Sequence, residues 1–126
     1  KGMEEHRRYQ ENSSNCHAYE FPTGSRKADC LRAEGDTCYV IEIKPKNSRA
    51  IAKGQRQAQD SVDDLDKEVA KMSKGEGSNV MQELIRKNSD FAKCKRWQRK
   101  LRCYTLCPEV NDEGEHREDS ARWDDC

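Results

Sequence analysis

The sequence predicts a small mixed α/β domain in which a short β-hairpin precedes a long amphipathic helix. Two strand-like runs, RKADCLR and TCYVIEIK, flank residues 33–36, a segment that favours a turn. Apolar residues then recur at intervals of three and four along the chain, which predicts a helix over about residues 49–72. Strands followed by helices on one chain of this length indicate a single α+β core.

Signals at the ends of these elements support the same order. A polar, helix-prone segment at residues 3–12 predicts a short N-terminal helix. Pro45 ends the second strand because it cannot donate a ladder hydrogen bond, and Asn47 or Ser48 is suited to cap the long helix. Ser78 is suited to cap a further helix after the break at residues 75–77.

The region beyond residue 88 is expected to be helical. Phe91, Cys94, Trp97 and Leu101 recur at helical spacing, which predicts a last helix from Asp90 to about Tyr104. Its remaining surface is basic, and we interpret this surface as a nucleic-acid contact through phosphate groups. The basic residues are Lys93, Lys95, Arg96, Arg99, Lys100 and Arg102. A further strand that the sequence does not place is expected to extend the hairpin.

Composition and charge indicate one modest core. The chain has 126 residues, 33% hydrophobic and 38% charged, with a formal net charge of zero. The charges are segregated: residues 109–126 hold eight acids and two arginines, so residues 1–108 carry the compensating positive charge. We therefore predict a domain over residues 1–108 and a solvated acidic tail over residues 109–126.

Targeting signals are weak in this sequence. No apolar run approaches the roughly 20 residues that a membrane-spanning helix needs. No basic-then-apolar leader follows Lys1, and the chain is expected to be a domain of a longer protein.

Seven cysteines are an odd and rather high count, without any C-x-x-C pair. The best cluster available for zinc is Cys94, Cys103 and Cys107, with His116 as a possible fourth ligand, and its spacing lacks the paired knuckles of structural zinc sites. Disulfides or buried thiols are the preferred interpretations, and they stay open alternatives. His6, His17 and His116 show no partner pattern, so we expect them on the surface.

The candidate site combines residues of the hairpin with one residue of the long helix. Period two places Tyr39, Ile41 and Ile43 on one face of the second strand, expected to be core, and Glu42 and Lys44 on the other. Carboxylates on adjacent strands, here Asp29 and Glu42, can hold a divalent cation such as Mg²⁺. The carbonyl of Ile43 is a possible further ligand.

The lysine and the helix complete this pattern. Lys44 follows Glu42 by two residues on the same face, where it can orient water and offset charge on a phosphate. Gln55 falls inside the apolar stripe of the helix, and Gly54 beside it indicates a close approach by another group. Taken alone, an E-x-K strand is more often a solvated face than a catalytic one.

In these residues and their order, the segment 24–59 resembles the PD-(D/E)XK nuclease superfamily, whose core is a helix, a strand with an aspartate, a strand with E-x-K, and a helix. The downstream glutamine is most similar to the VRR-Nuc branch and to nuclease toxins at the C-termini of bacterial polymorphic and type VI secretion effectors. The resemblance implies a restriction-endonuclease-like fold and the following roles: Asp29 and Glu42 as metal ligands, Lys44 as the catalytic lysine, Gln55 as the helix glutamine with Gln59 as second choice, and Glu11 as the acid on the first helix in preference to Glu4 and Glu5.

The functional expectation is a Mg²⁺- or Mn²⁺-dependent endonuclease acting on nucleic acid, with DNA favoured over RNA. The resemblance further implies an antibacterial toxin that is exported by a specialised, non-Sec system, acts in the target-cell cytoplasm and is neutralised by a cognate immunity protein. Two alternatives from other classes are a non-catalytic nucleic-acid-binding module that uses residues 90–104, and a disulfide-stabilised secreted binding domain.

Overall fold

In a computed structural model the chain forms a mixed β-sheet flanked by helices. The structure describes residues 2–106, 109–110, 116–117 and 121–126. The elements in chain order are helix α1 (Gly2–Glu11), strands β1 (Ala18–Pro22), β2 (Lys27–Glu34) and β3 (Thr37–Pro45), helices α2 (Ser48–Ser73) and α3 (Asn79–Lys87), a 3-10 helix (Ser89–Lys93), and strands β4 (Arg96–Leu106), β5 (Glu109–Val110), β6 (His116–Arg117) and β7 (Ala121–Asp125). The predicted α+β class is confirmed.

Five strands form the main sheet, in the order β1-β2-β3-β4-β7. Strand β2 pairs antiparallel with both β1 and β3, so the predicted hairpin is confirmed as β2 and β3. Strand β4 pairs parallel to β3 over its whole length, from Thr37↔Arg96 to Pro45↔Tyr104. A parallel neighbour requires a long crossover, and α2 and α3 supply it. Strands β5 and β6 form a separate two-stranded sheet.

Both predicted helix caps behave as the sequence indicates. The side chain of Asn47 accepts a hydrogen bond from the backbone N–H of Ala50 at the start of α2. The side chain of Ser78 accepts one from the backbone N–H of Met81 at the start of α3. Each cap satisfies a donor that the first helical turn would otherwise leave without a partner.

The sheet is buried on both faces. The larger core packs α2 residues such as Ala58 and Leu65 against Leu31 and Val40. A smaller core on the opposite face contains Cys16, Cys30, Ile41 and Ile43, with Tyr9, Tyr39 and Tyr104 packed against it. The face with Ile41 and Ile43 is therefore core, as predicted, and it belongs to the smaller of the two cores. Because each face of the sheet packs against a core, β3 is buried at nearly every position from Cys38 to Ile43.

The predicted C-terminal helix over residues 90–104 is wrong. Only a short 3-10 helix, Ser89–Lys93, is present there, and residues 96–106 form strand β4. Trp97, Leu101 and Cys103 are buried at even spacings, as expected for one face of a strand, whereas exposed Arg99 interrupts the alternation. That interruption, together with the chance helical spacing of Phe91, Cys94, Trp97 and Leu101, made a helix the better match to the sequence.

Three disulfides link the sheet to neighbouring segments: Cys16–Cys30, Cys38–Cys94 and Cys103–Cys126. Between the two open interpretations of the cysteines, the disulfide is the one observed. The zinc combination is excluded for its described members, since Cys94 and Cys103 are each bonded to another cysteine. Cys107 lies outside the described residues.

The C-terminal segment contributes to the sheet. Strand β7 pairs antiparallel with β4, from Arg102↔Asp125 to Leu106↔Ala121. Strand β7 is thus part of the main sheet, while the division of the chain into a domain and an acidic tail at residue 108 stays a prediction. Among the described residues, no helix is long and apolar enough to cross a membrane.

Candidate active site

The β2–β3 ladder gives way to side-chain hydrogen bonds at Asp29 and Glu42. The paired register runs from Glu34↔Thr37 to Cys30↔Ile41, and Asp29 and Glu42 come next on their strands. The backbone N–H of Asp29 donates to Oε2 of Glu42 at 3.0 Å. The backbone N–H of Ile43 donates to Oδ2 of Asp29 at 2.9 Å. Each carboxylate is thus fixed by a main-chain donor of the opposite strand.

Glu42 is a buried carboxyl group, with only 1% of its surface exposed. Burial raises the pKa of Glu42 to about 7, and the negative charge of Asp29 adds to this rise. The backbone N–H of Asp29 and the charges of Lys44 and Arg26 act in the opposite direction. A cation bound nearby would favour the ionised form, so this carboxyl is poised to respond to one.

Lys44 is half-buried and packs against α2 at Gly54, a position where a larger side chain does not fit. A Cβ atom at Gly54 would lie 2.8 Å from Cγ of Lys44 and 3.0 Å from Cδ2 of Leu101. Such distances are well below ordinary van der Waals contact, so Gly54 is required for the lysine to occupy this position. The close approach that the sequence indicated at Gly54 is confirmed, and the approaching group is Lys44.

A second cluster joins Asp29 on the side of α1. One potential ligand atom from each of His6, Glu20 and Asp29 lies within 4.8 Å of the others. Nε2 of His6 is 3.5 Å from Oδ1 of Asp29, and this contact raises the pKa of His6 above its ordinary value, although burial lowers it. His6 is half-buried with this partner, and so is His17, whose Nδ1 accepts a hydrogen bond from the backbone N–H of Ala33, although the sequence showed no partner pattern for either.

Glu20 is held in an unusual backbone conformation. Its φ is +48°, the left-handed region that non-glycine residues adopt at a cost of about 1–2 kcal/mol. The side chain of Gln10 donates through Nε2 both to Oε2 of Glu20 at 2.7 Å and to the backbone carbonyl of Asp29 at 2.8 Å. Gln10 therefore ties helix α1 to both acids, and these residues line a cleft of about 470 Å³.

The structure brings together four of the predicted site residues. Asp29, Glu42, Ile43 and Lys44 are adjacent, although Ile43 is engaged through its N–H rather than through the carbonyl that we expected to be a ligand. Glu11 lines the cleft on α1 but is not in the ligand cluster, where Glu20 and His6 stand instead. His6 and Glu20 were missed because neither forms a local motif with Asp29 in the sequence.

The predicted helix glutamines do not reach the Asp29 cluster. Gln55 is exposed, because the buried face of α2 contains Gly54, Ala58 and Val62 and lies slightly out of phase with the predicted stripe. Nε2 of Gln59 donates to Oδ1 of Asp63 at 2.9 Å, and Gln59 lines a separate groove described below.

The predicted basic surface is divided because four of its six residues lie on strand β4, while Lys93 and Lys95 precede that strand. Arg99 lines a groove beside α2. Lys100 and Arg102 lie over the rings of Tyr39 and Tyr9, at 5.7 and 5.9 Å from the ring centroids. Arg96 is 3.7 Å from Asp36, and Lys93 is 4.0 Å from Asp90. Since successive side chains of a strand point to opposite faces, these cations do not form one phosphate-binding stripe.

The donor chemistry suits a divalent cation. Two or three carboxylates with one imidazole form a mixed oxygen and nitrogen set of the kind that binds Mn²⁺ and related ions, and the carboxylates alone suit Mg²⁺. The protein has the restriction endonuclease fold, in which a helix, a three-stranded antiparallel unit, a long helix and a parallel strand follow in this order. Asp29 and the segment 42–44 lie on adjacent strands of it. This fold usually uses divalent metals.

The comparison with protein families agrees with this class. The family model described as restriction endonuclease fold toxin 9 matches residues 1–104, and the chain belongs to this family. Membership indicates a nuclease toxin. No curated protein and no solved structure matches the chain.

Proposed function

We propose that this domain is a metal-dependent endonuclease that hydrolyses phosphodiester bonds, with DNA favoured as the substrate. The observation that carries the proposal is the junction of β2 and β3, where Asp29 and the buried Glu42 lie side by side and the charge of Lys44 acts on Glu42. A buried acid with a raised pKa beside a second acid and a lysine is a costly arrangement for a structural role and a useful one for catalysis.

Asp29 and Glu42 are the proposed principal ligands of Mg²⁺ or Mn²⁺, with the Ile43 carbonyl as the additional ligand expected from the sequence. His6 and Glu20 are further candidates on the α1 side of Asp29. Such an ion, when bound, supplies Lewis acidity and lowers the pKa of coordinated water. Oδ2 of Asp29 and Oε2 of Glu42 are already oriented by main-chain donors, so the carboxylates require little rearrangement to bind.

Lys44 is the proposed catalytic lysine. Its stem is clamped between β3 and α2 at Gly54, which restricts where the ammonium group can lie. A positive charge held beside the two acids can orient the attacking water and stabilise the charge that builds on the phosphate oxygens. Fixing this group in advance lowers the reorganisation required during the reaction.

The biological role we propose is that of the toxin domain of an antibacterial effector. Its family membership supports the toxin assignment. Export by a specialised, non-Sec route such as type VI secretion, action in the target-cell cytoplasm, neutralisation by a cognate immunity protein and a VRR-Nuc-like position within the superfamily are finer proposals that rest on the sequence resemblance. The three disulfides argue against long residence in a reducing cytoplasm, so activity under reducing conditions tests that location.

The experiment incubates purified protein with plasmid DNA and, separately, with total RNA, in Mg²⁺, in Mn²⁺ and in chelator. Cleavage that requires metal and is lost in Glu42→Gln and Lys44→Ala supports the proposal. Glu83→Gln is the matched control, because Glu83 is an exposed acid of α3 paired with Arg86. Binding of nucleic acid without cleavage under every condition would instead identify a non-catalytic binding module, and full activity of Glu42→Gln would refute the assigned site.

A further inference from the structure

A second groove, of about 510 Å³, lies beside α2 and β4. Helix α2 contributes Lys53, Arg56, Gln57 and Asp60 to it, while Arg26 comes from the segment before β2 and Arg99 from β4. Only Arg99 belongs to the basic set that the sequence indicated. The fold therefore gathers four cations from three separate segments, a grouping that no local pattern in the sequence displays.

Among the described residues, the cations of this groove outnumber its acids four to one. Four cations face the single carboxylate of Asp60, and none of the four makes an ion pair within 4 Å of an acid in the described part of the chain. Nε of Arg26 and Oε1 of Gln57 are also buried without a hydrogen-bond partner among the described residues. Buried polar groups in proteins are nearly always satisfied, so both atoms point to a ligand that supplies a partner.

The character of these groups specifies the ligand. Guanidinium groups bind phosphate through paired hydrogen bonds, and three arginines and a lysine along one groove match a chain of phosphates better than a single anion. The acceptor Oε1 of Gln57 additionally fits an amino group, such as that on a nucleobase, which inorganic phosphate lacks.

The groove adjoins the proposed catalytic residues. Lys53 directly precedes Gly54, the residue against which Lys44 packs. Arg26 lies three residues before Asp29, and its positive charge is near enough to Glu42 to oppose part of the rise in the pKa of that carboxyl. Leu101, two residues after Arg99 on the same strand, also contacts the position of Gly54. A polymer that reaches Lys44 therefore passes directly beside these cations.

We propose that the groove formed by Arg26, Lys53, Arg56 and Arg99 binds the phosphodiester backbone of the nucleic-acid strand that flanks the cleaved bond. This inference rests on the proposed nuclease function and assigns it a substrate-binding surface. Phosphate contacts of this kind position the strand without selecting its sequence. The cations of β4 on the opposite face, which contact Tyr39 and Tyr9, do not belong to this surface.

The test measures binding rather than cleavage. Fluorescently labelled duplex DNA and single-stranded RNA are titrated with wild-type protein and with the double variant Lys53→Gln/Arg56→Gln in chelator, over a range of salt concentrations. The slope of log affinity against log salt is negative, and loss of two phosphate contacts should make it shallower by about 1.8 on duplex DNA. The matched control is Lys67→Gln/Lys74→Gln, which removes the same charge from exposed positions outside the groove.

Each outcome has a defined meaning. A reduced slope in the groove variant and an unchanged slope in the control support the proposal, provided that circular dichroism shows both variants folded. Equal slopes in all three proteins would overturn it, and so would stronger binding of a poly-glutamate peptide than of either nucleic acid. Because binding is measured without metal, its result is independent of cleavage. Unchanged binding by the groove variant overturns the groove alone, whereas absence of metal-dependent cleavage by the wild type refutes the nuclease.

Discussion

The backbone N–H of Asp29 donates to the carboxylate of Glu42, and in this way one acid orients the other across neighbouring strands. Glu42→Gln retains an acceptor for this hydrogen bond but removes the negative charge. We expect metal-dependent cleavage to fall by about 100-fold or more, while the circular dichroism spectrum stays native. Asp29→Asn should behave in the same way, since its amide oxygen can still accept from Ile43. Unfolding of both variants would show that the pair is structural.

The fit of Lys44 against Gly54 gives a second prediction. Gly54→Ala should raise intrinsic helix stability by about 1 kcal/mol, yet the added Cβ would clash with Cγ of Lys44 and displace the lysine. We expect cleavage to fall about tenfold or more with little loss of helix content. In a Lys44→Ala background the same substitution should be less destabilising, and urea unfolding of the four proteins measures this coupling. Unchanged activity of Gly54→Ala would show that the position of Lys44 is not critical.

Stability should depend on pH through Glu42. Because its pKa is raised from 4.5 to about 7 in the folded protein, folding favours the protonated form. The free energy of unfolding in chelator should therefore fall as pH rises from about 4.5 to 7, by roughly 3 kcal/mol from this group. Glu42→Gln should lack this decrease, which denaturant unfolding at pH 5 and pH 8 would reveal. Parallel pH dependences of the two proteins would contradict the raised pKa.

Glu20 rather than Glu11 should affect metal binding. Glu20 lies in the ligand cluster with His6 and Asp29, whereas Glu11 only lines the cleft. We expect Glu20→Gln to weaken Mn²⁺ binding about tenfold or more and Glu11→Gln to leave it nearly unchanged. Isothermal titration calorimetry compares the two variants. The reverse order of effects would restore Glu11 as the acid contributed by the first helix.

The disulfides should contribute strongly to stability. Cys38–Cys94 spans a sequence separation of 56 residues, and a chain-entropy model assigns a loop of this length about 4 kcal/mol. Urea unfolding of the oxidised protein and of the protein reduced under native conditions measures the combined effect of the three bonds. An unchanged midpoint after complete reduction would show that the fold does not depend on them and would remove the objection to action in a reducing cytoplasm.

The sequence predicted the local elements well because their signals are local. Asn47 and Ser78 mark helix starts, and residues 33–36 mark the hairpin turn, through hydrogen bonds and backbone preferences within a few positions. Strand β4 was missed because its parallel partner β3 is separated from it in sequence by the whole helical crossover. The residues near Trp97 and Leu101 therefore carry no local signal of this pairing. The unassisted sequence pattern there matched a helix.

The site residues likewise divide into those that a local pattern predicts and those brought in from distant segments. Asp29, Glu42 and Lys44 belong to one hairpin, so their proximity follows from strand geometry and the turn between them. His6 and Glu20 reach Asp29 only because α1 and β1 fold back onto β2, a contact that depends on Gln10 bridging distant segments. The phase of α2 was misjudged at Gln55 because the buried glycine at position 54 carries no hydrophobic signal, although it marks the face nearest the sheet.

The left-handed conformation of Glu20 also bears on edge-to-edge association between copies of the protein. Strand β1 is an outer strand of the five-stranded sheet, and its register with β2 passes from Tyr19↔Cys30 to Phe21↔Ala28 without a pair at Glu20. Pro22, at the end of the strand, has no N–H to donate. A second chain that paired with this edge strand would face an irregular backbone at Glu20 and no N–H donor at Pro22. Features of this kind oppose edge-to-edge aggregation of β-sheets. The distortion that directs a carboxylate toward Asp29 thus also helps to keep the sheet from growing.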